Sequence, residues 1–287
     1  MSESFEREKI TVHSLESRPA FQEGFSNVDV FKRMVKAFTG VNLQIKEVET
    51  EKEFHRPVGN VKIKFDLFAE DEKKRTIVEA QHANYSQNFE RFCYYHLTAI
   101  VETIKSSRDY HFPKTVYTLV FFTDRLSPVP GKNILVHDTE MKDFIDGEVA
   151  KGIFPHKHRL FFIFTKAPDA DIRMPEECRE WIQAIHETLK GWVYLHQFKT
   201  PEIKTLFERL KTEDTSPELH TKMMDERMVK EKHDEIRKEE RRKFAHKLLR
   251  RDDKKSNLDI SELTELSLTD IEELREEMTE KGEILFV

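Results

Sequence analysis

The chain has 287 residues, room for one large domain with an appendage or for two small domains. Hydrophobic residues make up 38% and charged residues 36%, a balance that predicts a soluble protein with a core and a heavily charged surface, and no apolar run reaches the roughly 18 residues a membrane span needs. Only 8 glycines leave no glycine-rich phosphate cradle, and a formal net charge of −6 speaks against a uniformly basic nucleic-acid binder. The opening MSESFEREKI has no apolar segment of the secretory kind, so the expected compartment is the cytoplasm. Cys93 and Cys178, far apart and without zinc-type spacing, read as reduced, packed thiols.

Residues 1 to about 24 show no clear period and read as a loosely ordered amino-terminal segment, ahead of a main domain expected over 25–212. In VDVFKRMVKAFT, Val30, Phe31, Met34, Val35 and Phe38 recur at helical spacing and Gly40 is a natural stop, which predicts a short amphipathic helix over Val28–Thr39. Asp29 falls in its first turn, where the peptide dipole favours an acid whatever else that acid does. Val41 to Glu49 reads as a strand or extended connection. Glu47, Glu49, Glu51 and Glu53 alternate along it, and one of them could serve as a metal ligand, with nothing in the sequence to choose among them.

The stretch that organises the chain is KIKFDLFAEDEKKRTIVEAQ, Lys62 to Gln81. Val61, Ile63, Phe65 and Leu67 alternate with Lys62, Lys64, Asp66 and Phe68, the period of a β-strand. The six charged residues Glu70 to Arg75 resist burial and read as a hairpin loop. Thr76 to Gln81 forms the return strand, with Ile77, Glu79 and Gln81 on one face. A turn symmetric about the Glu72–Lys73 bond sets Asp66 across from Glu79, with β-carbons about 5 Å apart. Two carboxylates so placed repel each other. A cation such as Mg²⁺, which takes carboxylate oxygens and keeps places for water and phosphate, removes the conflict. The plainer alternative is an exposed hairpin face whose acids meet no metal.

Ser86 is a suitable N-cap for a helix running to about Lys105, whose Phe89, Phe92, Cys93, His96, Ile100 and Ile104 fall near one face. Arg91 and Tyr95, four apart, share another face. A guanidinium held near the hairpin would grip a phosphate oxygen or orient Glu79, or else make an ordinary salt bridge. VYTLVFFT (116–123), NILVH (133–137) and RLFFIFT (159–165) read as strands, the first and third apolar almost throughout, as strands covered on both faces are. They belong in the middle of a mixed sheet flanked by helices. Pro175 opens a helix expected to run through Phe198, with Trp181 and Trp192 as packing residues.

Pro217 to about Arg251 reads as a charged helix within a linker-like segment, 213–255, followed by a small helical tail, 256–287. Between Lys222 and Lys255 there are 14 Lys and Arg against 9 Asp and Glu, and from Ser256 onward 2 against 10, so the end of the chain has a basic half and an acidic half. The run RRKFAHKLLRR could lie along a DNA backbone or be a solvated helix. Asp259 or Ser261 would cap the first tail helix and Ser267 or Thr269 the second. The second helix is acidic where a groove-reading helix should be basic. That favours a packing or dimerising element over a DNA reader, and a dimerising element would make a homodimer. The 13 histidines include no HExxH pattern, and His82 reads as packed.

Asp66, a hairpin spacing, and Glu79-Ala80-Gln81 resemble the PD-(D/E)XK phosphodiesterase core in its E-x-Q form. The version this chain is most similar to is the transposase-associated branch, the recombination-promoting nuclease (Rpn-like) family. That family continues with a helix carrying phenylalanine, arginine and tyrosines, matched by Phe89, Arg91, Tyr94 and Tyr95, and opens with an aspartate followed by Phe-Lys, matched by Asp29-Val30-Phe31-Lys32. The tail is similar to the family's helix-turn-helix-like ending, with Glu265 where glycine is common. FFIFTKAP carries Lys166 but no glutamate where related nucleases have a Glu-Leu-x-Lys-Phe-like segment.

The resemblance implies an α/β, restriction-endonuclease-like mixed sheet flanked by helices, with a helical C-terminal extension. It further implies a Mg²⁺-dependent DNA endonuclease, with Mn²⁺ as a substitute, linked to recombination or mobile elements. Asp66 and Glu79 would hold the metal, Gln81 would orient the attacking water, and Arg91 and Lys64 would contact substrate. Many related enzymes carry lysine where Gln81 stands; Lys62 or Lys64, on the face of Asp66, would restore the missing charge. The competing class is a DNA-associated or assembly protein that keeps the fold without turnover. Intact Asp66, Glu79 and Gln81 favour the enzyme, and the absent glutamate with the acidic tail favours the other.

Overall fold

The computed structural model describes residues 9–54, 63–81, 89–104, 111–150, 152–251 and 255–284. The chain divides into two units between Met223 and Met224. In chain order the first unit contains β1 (Lys9–Thr11), α1 (Arg18–Phe25), α2 (Val28–Thr39), β2 (Glu49–Glu53), β3 (Lys64–Glu70), β4 (Lys74–Gln81), α3 (Glu90–Val101), β5 (Thr115–Phe122), β6 (Ile134–Asp138), β7 (Arg159–Phe164), α4 (Glu176–Thr188), β8 (Trp192–Tyr194) and α5 (Pro201–Arg209). A long helix, α6 (Pro217–Arg251), contains the division, and α7 (Asn257–Thr264) and α8 (Leu268–Glu280) complete the second unit.

The first unit is α/β, built on a six-stranded mixed sheet in the order β2-β3-β4-β5-β7-β6. β2, β3 and β4 form an antiparallel meander, β4, β5 and β7 run parallel, and β6 returns antiparallel to β7. Helices flank both faces. One core joins Phe21, Phe25, Phe31, Trp181 and Phe207 of α1, α2, α4 and α5 to Leu67, Val78 and Phe121 of the sheet. On the other face Phe68 and Ile77 pack with Ile100 of α3. The near-continuous apolar runs of β5 and β7 follow from this double cover.

The hairpin closes where its charge pattern places it. β3 and β4 pair Leu67 with Val78 and Glu70 with Arg75, a register centred between Glu72 and Lys73. Asp71 makes the turn: its Oδ1 accepts from the amides of Lys73 (2.9 Å) and Lys74 (2.8 Å). Arg75 departs from the expected exposed loop. It is buried, donating to Glu70 at 2.9 Å and to the Ala99 carbonyl at 3.1 Å, with its guanidinium over Phe54 and Phe68. A guanidinium can be buried when its charge is paired and its flat faces meet rings.

α2 has the bounds its periodicity predicts. Asn27 caps it by accepting from the amides of Asp29 and Val30, and Gly40 ends it at φ 72°. Residues 9–24, expected to be loose, are instead part of the core. β1 pairs antiparallel with β8, and α1 buries Phe21 and Phe25 completely, each worth about 2 kcal/mol. The helix expected over 175–198 ends at Thr188 because Gly191, at φ 79°, turns the chain into β8. Trp181 is a core residue.

In the second unit the basic and acidic halves of the tail are folded onto each other. Ala245 and Leu249 of α6 meet Ile260 of α7 and Ile271, Leu274 and Met278 of α8. Around this core Lys238 pairs with Asp270 (2.6 Å), His246 with Glu283 (2.7 Å), Arg241 with Glu265 and Arg242 with Glu277. Ser256, not Asp259 or Ser261, caps α7, with Asp259 completing the capping box; Ser267 and Asp270 do the same for α8. Glu265 closes α7 in the left-handed region, a conformation that glycine adopts most easily. Among the described residues no helix is long and apolar enough to cross a membrane.

Candidate active site

β3 and β4 bring Asp66 and Glu79 together. One step beyond the Leu67–Val78 pair the register sets Asp66 opposite Glu79. Each carboxylate holds the other strand's backbone: the Asp66 amide donates to Glu79 Oε1 (3.2 Å), and the Ala80 amide donates to Asp66 Oδ2 (2.9 Å). Asp66, Glu79 and Gln81 are all buried, at 4%, 6% and 9% exposure. They lie at the carboxyl end of β4, where the sheet changes from antiparallel to parallel pairing.

Two arginines close on the pair from different helices. Arg18, the first residue of α1, places Nε 3.0 Å from Asp66 Oδ1. One turn on, Gln22 donates to the Asp66 carbonyl at 3.4 Å. From the first turn of α3, Arg91 donates to Gln81 Oε1, with its guanidinium 4.6 Å from the ring centroid of Phe92 and 5.8 Å from that of Tyr95. Because a guanidinium only donates, the Gln81 carbonyl oxygen must be the atom that faces it. Arg91 makes no salt bridge among the described residues, and its buried Nε has no hydrogen-bond partner there.

Burial, reinforced by the charge of Asp66, pushes the Glu79 carboxyl well above the usual carboxylate range, while Arg18 and Arg91 oppose the shift. The Tyr95 hydroxyl is also raised, first by burial, and it feels Arg91, Glu79, Asp66 and Arg18, which places it in the same cluster. Two buried carboxylates side by side repel each other when both are ionised, and a cation between them would relieve that repulsion. Their donor set suits a hard ion. Both offer oxygens, and Glu79 Oε2 has no partner among the described residues. Mg²⁺ is commonly held by one or two carboxylates with water and phosphate completing the shell. No group of three or more His, Cys, Asp or Glu that could hold a metal occurs among the described residues.

Other expected contributors sit elsewhere. Lys64 is two residues before Asp66 on β3, and its Nζ is 2.8 Å from Glu51 on the edge strand. Glu51 falls opposite Asp66 in the β2–β3 register and has φ 57°, a conformation costing about 1–3 kcal/mol in a non-glycine residue. Asp29 stays in the first turn of α2. Lys166 donates to the Asp124 carbonyl at 3.2 Å. Lys62, His82 and Ser86 lie outside the described residues. Sequence reasoning missed Arg18 and Gln22. A signal for their helix was present, since Pro19 stands two residues after Ser17, and Phe21 and Phe25 are four apart. Nothing in it tells where α1 docks.

No family model, no curated protein and no solved structure matches this chain.

Proposed function

We propose that this protein is a Mg²⁺-dependent DNA endonuclease of the PD-(D/E)XK transposase-associated type, with a restriction-endonuclease-like core and a role in recombination or mobile-element movement. One observation carries the reading. Two buried carboxylates from neighbouring strands lie side by side at the end of a mixed sheet, a costly arrangement that a divalent ion would relieve. Asp66 and Glu79 would hold the ion. Bound there, Mg²⁺ would stabilise charge building on a phosphodiester and acidify the attacking water. Gln81, oriented by Arg91, positions that water, and Arg91 meets a phosphate oxygen. Lys64 is the weaker substrate contact, because Glu51 already holds it.

A second reading, an assembly or DNA-associated protein without turnover, also has support in the structure. Asp66 already has protein donors on both oxygens, Ala80 on one and Arg18 on the other, so its charge is met within the chain. Nicking of supercoiled plasmid in Mg²⁺ or Mn²⁺ separates the two readings. The nuclease reading requires nicking by the unmodified chain and its loss in Asp66→Ala and Glu79→Ala. No nicking by any of the three leaves the second reading, whereas equal nicking by all three overturns the assignment of Asp66 and Glu79 as the active site.

A further inference from the structure

We propose that Arg18 is a working part of this site: a basic arm that holds Asp66 while the metal is away and turns to a phosphodiester oxygen once the metal takes that carboxylate. This rests on the metal-dependent reading above. Arg18 Nε lies 3.0 Å from Asp66 Oδ1, yet its side chain is 54% exposed whereas that of Asp66 is 6% exposed. The two ends of this ion pair are therefore unlike. Asp66 is fixed, with its second oxygen held by the Ala80 amide and its carbonyl by Gln22. Arg18 reaches in from the solvent side on a long, flexible stem.

Charge balance indicates which partner gives way. Arg18 pairs with Asp66, and both Arg18 and Arg91 lie within electrostatic reach of Glu79, so two acids face two arginines. A divalent ion on the carboxylates leaves the cluster with excess positive charge, and an incoming phosphodiester removes part of it. The ion and Arg18 compete for Asp66, while the phosphate and Arg18 attract. Arg18 would thereby also supply the positive charge that Gln81 lacks, a role the sequence suggested for Lys62 or Lys64. Lys64 is held by Glu51.

The competition predicts effects of opposite sign. Arg18→Gln should tighten Mn²⁺ binding, measured by EPR titration without DNA, by about ten-fold, the scale of one partly solvated charge close to a bound ion. The same variant should weaken binding of a short fluorescein-labelled duplex in Ca²⁺, followed by anisotropy, by about three-fold or more. Arg18→Lys, which keeps the charge, should stay near the unmodified protein in both assays. A purely structural loss of α1 would weaken both ligands together. The inference is overturned if Arg18→Gln leaves Mn²⁺ affinity unchanged or lower while Asp66→Asn abolishes it; the metal reading then stands. If neither Asp66→Asn nor Glu79→Gln alters Mn²⁺ binding, the metal reading falls and takes this inference with it.

Discussion

His96 and His158 make the first unit sensitive to acid. They are 1% and 4% exposed, on α3 and just before β7. The His96 ring meets the Thr118 hydroxyl through Nδ1 at 2.9 Å. His158 Nδ1 accepts from the Val116 amide at 3.1 Å, so its proton sits on Nε2. Neither Nε2 has a partner among the described residues. Burial, with added repulsion from His158 and His137, lowers His96 to about 3; burial, with repulsion from His156, lowers His158 to about 4. Both values lie below the unfolded value of 6.5, so the stability these neutral rings support is complete above it and is lost as pH falls toward the folded values. At about 1.4 kcal/mol per pH unit and ring, lowering the pH to about 5 removes about 2 kcal/mol from each, or about 4 together. That is a large part of a typical domain's stability.

Urea unfolding at about pH 7 and about pH 5, for the unmodified chain and for a His96→Leu, His158→Leu double variant, measures the difference. The double variant should be less stable at neutral pH but should lose about 4 kcal/mol less on acidification. Equal acid losses in the two proteins would refute the assignment. His96 shares α3 with Arg91 and Tyr95, so acid opening should also free Arg91 from Gln81. Any nuclease activity should then fall together with near-ultraviolet circular dichroism.

Three further outcomes follow from single contacts. Arg75→Ala should lower stability by about 2 kcal/mol in thermal melts, since it removes a guanidinium lying over Phe54 and Phe68 and the buried half of two ion pairs; an unchanged melting temperature would contradict this. Ser267→Ala should cost about 1 kcal/mol in the second unit, with hydrogen exchange rising first at the start of α8. Reversing charge at Arg241 and Arg242 should leave the salt dependence of DNA affinity unchanged, because Glu265 and Glu277 already engage them. A slope flatter by about 2 would instead show two lost phosphate contacts.

Local features of the sequence were read well, and contacts between distant segments were not. The Asp66–Glu79 register was legible because the hairpin's charges left one symmetric turn, and Asp71 makes it. The α2 cap and stop, the β5 and β7 strands and the extent of α6 were legible for the same reason, since each is fixed by neighbours in sequence. Arg75 was misread because a charge run says nothing of the rings and acids that receive it. Arg18 was missed because its partner Asp66 lies on a strand far along the chain. The tail's basic and acidic halves could be counted, but only their packing shows Lys238, Arg241 and Arg242 answering Asp270, Glu265 and Glu277. Gly191 was a visible stop that the broad apolar face around Trp181 and Trp192 obscured.

The most direct test of the carboxylate pair as a metal centre is an anomalous-difference map from crystals soaked in Mn²⁺. The account predicts a peak within about 2.5 Å of an oxygen of Asp66 and of Glu79. A map with no peak there, and with Asp66 still engaged by Ala80 and Arg18, would contradict it.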